Sequence, residues 1–76
     1  MSVIQAIVLS KEYFNKQQAE RWITKHGFKP IKKVHISPRT YRFRLREPNE
    51  LYDYRMKQLT TGVKAVIGFL PYQLYE

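Results

Sequence analysis

The sequence predicts a single α+β domain spanning 1–76, with a four- or five-stranded, mainly antiparallel sheet and one main helix packed on one face. Three features point there: an apolar run from Val3 to Leu9, an amphipathic block from Asn15 to His26 with stop and start signals, and period-two alternation in Ile31 to Ile36 and Thr40 to Arg46, followed by a final strand from Val63 to Leu70. At 76 residues the chain has the size of one domain, near the lower limit at which an apolar core sustains a fold without metal or disulfide.

Val3 to Leu9 is apolar at every position except Gln5, as expected of a central strand covered on one side and partly sheltered on the other. The helix follows. Asn15 can cap it, Gln18 stands three residues on to complete a capping box, and Phe14 can staple toward Ala19. Ala19, Trp22, Ile23 and His26 share one stripe, Lys25 and His26 suit the negative C-terminal end, and Gly27 supplies a left-handed stop. Trp22 reads as a core anchor packed over the small Ala6.

Ile31 to Ile36 and Thr40 to Arg46 alternate on either side of Ser37-Pro38-Arg39, a tight turn, and predict a β-hairpin. With Pro38-Arg39 at the centre, Ile36 faces Tyr41, Val34 faces Phe43 and Lys32 faces Leu45, while His35 faces Arg42 and Lys33 faces Arg44. One face is then Val34, Ile36, Tyr41, Phe43 and Leu45, suited to lie under the helix. The other is Lys33, His35, Arg42, Arg44 and Arg46.

After Pro48 the pattern supports two readings. Asn49 can cap a second helix with Tyr52, Met56 and Leu59 at i, i+4 and i+7, but Tyr54 to Leu59 also alternates as a strand, with Thr60-Thr61-Gly62 as a hairpin loop. The helical reading gives the βαββαβ ferredoxin-like order; the strand reading gives a five-stranded sheet with one main helix. Val63 to Leu70 is the last strand in both, and both leave one sheet face open. The four prolines, Pro30, Pro38, Pro48 and Pro71, fall singly between elements, and no linker or repeat divides the chain.

Fourteen Lys and Arg against six Asp and Glu give a formal charge of +8, and the natural partner of such a chain is acidic. With 43% hydrophobic residues it is too rich in core formers to be a disordered basic tail. There is no cysteine, so disulfides and thiolate zinc sites are excluded and nothing requires an oxidising compartment. The apolar N-terminal run lacks a basic leader and is far shorter than a membrane span. A cytoplasmic or nuclear, intracellular setting is expected, with no membrane partner.

The functional expectation centres on Arg42-Phe43-Arg44-Leu45-Arg46, which sets three guanidinium groups in line on one sheet face, about 7 Å apart by strand rise. That spacing resembles successive phosphates, and the planar guanidinium fork binds phosphate in bidentate fashion. Lys33, His35, Arg39 and Lys64 complete the candidate surface for DNA or RNA, which would act by salt-sensitive, weakly sequence-selective phosphate contacts. Tyr41 and Phe43 alternate with the arginines and so belong to the core, unlike the outward aromatics of the RNA-recognition motif, whose glycine-spaced signature is also missing.

His26 and His35 have no carboxylate at ligand spacing, the acids form no pair suited to proton transfer or Mg²⁺, and Ser10 and Ser37 lack a base. No enzyme, metal or cofactor is expected. The alternative function is a protein-interaction or assembly module using Phe69, Tyr72, Leu74 and Tyr75 of the C-terminal tail, as a homodimer through Ile7, Leu9 and the tail or with another protein.

Ala19 to Phe28, with Trp22 and His26-Gly27-Phe28-Lys29, followed by Tyr41-Arg42-Phe43-Arg44 and Gly62-Val63-Lys64-Ala65-Val66-Ile67-Gly68, resembles small uncharacterised proteins of viruses and phages. The likeness covers most of the chain. It implies a viral protein acting in a host cell or virion and assigns no residue a role.

Overall fold

Gln5, Ala6, Ile7, Val8 and Leu9 are all buried, so this strand has no solvent face along its middle and must sit at the centre of the sheet. The computed structural model describes residues 2–69. In chain order the elements are β1 (Ser2–Ser10), α1 (Lys16–Lys25), β2 (His35–Ile36), β3 (Thr40–Arg44), β4 (Asp53–Thr60) and β5 (Val63–Phe69). They form one five-stranded sheet in the order β2-β3-β1-β5-β4, with every neighbouring pair antiparallel.

The α+β expectation therefore holds in its five-stranded form, and the ferredoxin-like order does not. The first half of that order is present, since β2 and β1 both run antiparallel to the β3 strand between them and are joined through α1. The second helix is replaced by a hairpin. Asn49 does cap, its Oδ1 accepting from the Leu51 N–H at 2.8 Å and its carbonyl from the Tyr52 N–H at 3.0 Å, but the chain turns only once before entering β4. Pairing with β5 gives Tyr54, Met56 and Gln58 one face and Arg55 and Lys57 the other, so the period-two pattern prevails over the helical one.

The helix signals are borne out at both ends. The Asn15 side chain accepts from the Gln18 N–H at 2.8 Å, the Gln18 side chain accepts from the Asn15 N–H at 2.9 Å, and Gly27 takes a φ of +79° just past the end. Ala19 and Ile23 dip into a core with Ile7, Leu9, Phe43, Val63 and Ala65. Trp22 is half-buried at the margin of this core, stacked on His26 with ring centroids 3.8 Å apart. It does not lie over Ala6, because Ala6 belongs to the opposite face of the sheet with Val8 and Val66.

The β2–β3 hairpin keeps the expected register at Ile36 opposite Tyr41 and His35 opposite Arg42, but β2 ends there. Beyond it the Ile31 N–H donates to the Arg44 carbonyl at 2.9 Å, so Val34, Lys33 and Lys32 do not pair with Phe43, Arg44 and Leu45. Like charges directly opposite would oppose that ladder. Lys32 turns away to Glu47, 3.1 Å off. Ile36, placed by the alternation under the helix, is 49% exposed.

Ile7 and Leu9 are fully buried, which removes them from any dimer surface. No helix among the described residues is long and apolar enough to cross a membrane.

Candidate nucleic-acid interface

The strand registers write out the sheet face opposite α1 row by row. One row across the strands is His35, Arg42, Val8, Lys64 and Gln58; the next is Arg44, Ala6, Val66 and Met56; a third is Val3, Gly68 and Tyr54. A bulge at Gln5 makes the third row continuous with the others, because Ile4 pairs with Ile67 while Ala6 pairs with Val66. The same bulge holds the end of the arginine strand. The Gln5 carbonyl accepts from the Leu45 N–H at 2.7 Å and the Arg46 N–H at 3.1 Å, and its buried side chain donates through Nε2 to the Arg46 carbonyl at 2.8 Å.

Arg42 and Arg44 thus project from β3 onto the open face, as the alternation requires, and Tyr41 and Phe43 go to the helix side. Lys33, His35, Arg42 and Arg44 come together with Lys32 and Val34 around a cleft of about 240 Å³ that no acidic residue lines. The remaining candidates are spread further along the same face. Lys64 and Arg39 share a cleft of about 330 Å³ with Ser10, Thr40 and Gln58, and Glu12 also lines it. Arg46 lines a third cleft, of about 360 Å³, with Gln5, Asn49, Tyr52 and Tyr54, and Glu47 also lines it. Phe69 ends β5 and is exposed; Tyr72, Leu74 and Tyr75 lie outside the described residues.

Two residues of this face were not among the site candidates read from the sequence. Tyr54 and Tyr52 stand on the open side with nearly parallel rings, centroids 6.2 Å apart, over Gly68. Their signal was the alternation of β4, which the competing helical spacing masked. Among the described residues no three His, Asp or Glu side chains are placed to hold a metal ion.

The chain matches no family model, no curated protein and no solved structure.

Proposed function

We propose that the chain binds nucleic acid through the face of the sheet opposite α1. The observation that carries this reading is the cleft shared by Lys32, Lys33, His35, Arg42 and Arg44, a concave site with cationic walls on a chain of formal charge +8. Its apolar lining is Val34, and no acidic residue lines it; of its cations Lys32 is paired with Glu47 outside the cleft. Arg42 and Arg44 are half-buried on a paired strand, so their stems are held by the sheet while the guanidinium groups serve as donors. Phosphate contacts of this kind position a polyanion without reading its sequence. No covalent chemistry is assigned to the site.

The test is replacement of Arg42, Arg44 and Arg46 together by Ala, followed by titration against DNA and RNA over a range of salt. None of the three belongs to the core on the helix side, so the fold should persist by circular dichroism. Affinity should fall for unrelated sequences alike, and the slope of log affinity against log salt should shrink by about 2.7 for a duplex, at roughly 0.9 per phosphate contact. Unchanged affinity and slope in a folded triple variant would remove this reading.

A further inference from the structure

The rows across the face opposite α1 set small residues between two large edges. The small residues are Ala6 and Val8 on β1 and Val66 and Gly68 on β5; Ala6, Val8 and Val66 are buried as an apolar cluster against which Tyr54 packs. The two edges are chemically unlike. Arg42 and Arg44 on β3 form one, Tyr54 and Met56 on β4 the other, three strand spacings or about 14 Å away. The tyrosine edge leans inward, since the place of a Cβ on Gly68 is only 2.7 Å from Tyr54 Cε1 and 3.0 Å from Tyr52 Cδ2. The Tyr54 ring is also held at its far end, where the Asn49 N–H donates to its hydroxyl at 2.7 Å. At that end lies the cleft of about 360 Å³ lined by Arg46, Glu47, Asn49, Tyr52 and Tyr54, large enough for a small planar ligand.

A polyanion with cations on one flank and aromatic rings on the other is matched along both edges only if it carries charge on one side and flat apolar faces on its other. A duplex hides its base faces in the stack and shows phosphates outward. An unpaired strand exposes both. Resting on the nucleic-acid reading above, we propose that this face takes a single strand, its backbone along Arg42, Arg44 and Arg46 and its bases turned toward Tyr54 and Tyr52, with one base entering the cleft beside Arg46. Lys64, opposite Val8 on the far side from Arg42, closes the other end.

The experiment measures anisotropy of a labelled strand of about 12 nucleotides, alone and annealed to its complement, in the same buffer. The single strand should bind more tightly than the duplex. Tyr52→Leu with Tyr54→Leu keeps apolar bulk but removes the rings, and should weaken single-strand binding about five-fold or more while leaving duplex binding nearly unchanged. Tyr54→Phe keeps the ring and should bind the strand as the parent does. Duplex binding equal to or tighter than strand binding overturns the proposal, as does a folded double-Leu variant with parental strand affinity. If the double-Leu variant fails to fold, the strand-to-duplex ratio of the parent still decides. Binding of neither form brings down the nucleic-acid reading itself, whereas duplex-only binding sensitive to Arg42 and Arg44 leaves that reading standing and removes this one.

Discussion

Tyr54 lies directly across from Gly68, and its ring takes the space that any side chain at 68 would need, 2.7 Å from the place of a Cβ. Gly68 carries no left-handed backbone; a β-strand would accept alanine there on conformational grounds alone. The glycine is therefore explained by the aromatic pair above it, a strand glycine sheltered by a cross-strand ring.

Gly68→Ala should displace both rings and overpack the face, with a loss of about 1 to 3 kcal/mol in a denaturant titration. The near-ultraviolet signal of the tyrosines should change with it. Stability within a few tenths of a kcal/mol of the parent would show that the rings move aside freely and form no fixed wall.

Core substitutions should rank by burial and not by side-chain size. Leu9 is fully buried between α1 and the sheet, so Leu9→Ala should lose about 2 to 5 kcal/mol. Trp22 sits half-buried at the margin on His26, and Trp22→Ala should cost less, about 2 kcal/mol. Thermal melts of the two variants in the reverse order would contradict the placement of the helix.

Asn15→Ala removes the acceptor of the Gln18 N–H and breaks the reciprocal pair that starts α1. A loss of about 1 kcal/mol is expected, read from denaturant midpoints. Asn15→Ser or Asn15→Asp should restore most of it.

How much of this was legible in the sequence depends on whether a residue's partner was local. The cap at Asn15, the stop at Gly27 and the strand between two apolar faces rest on neighbours within a few positions, and all three stand. The arginine face was legible too, because alternation alone sends Arg42 and Arg44 one way and Phe43 the other. The aromatic wall was not. Tyr52 and Met56 are spaced as a helix would want them, and only the pairing of Tyr54 with Gly68 and Met56 with Val66 makes them part of a sheet face. The bulge at Gln5 escaped for the same reason: it exists to take hydrogen bonds from residues at 45 and 46, some 40 positions away. Trp22 was assigned to Ala6 because the sequence shows which residues are small, not which side of the strand the helix covers.

The sharpest check of the interface is a comparison that holds net charge constant. Arg55 and Lys57 on β4 carry the same charge as Arg42 and Arg44, but the register turns them to the α1 side of the sheet, beyond the helix, where both are exposed. If binding came from overall charge, Arg55→Ala with Lys57→Ala would weaken it as much as Arg42→Ala with Arg44→Ala. A site on the open face predicts otherwise. The β3 pair should lower the salt slope by about 1.4 for a single strand, at roughly 0.7 per contact, and the β4 pair should change it little. Both double variants should fold, since none of the four side chains belongs to the buried core on the helix side. Equal losses in the two would mean that the chain attracts polyanions by its net charge alone; a larger loss from the β4 pair would move the interface to the other side of the sheet.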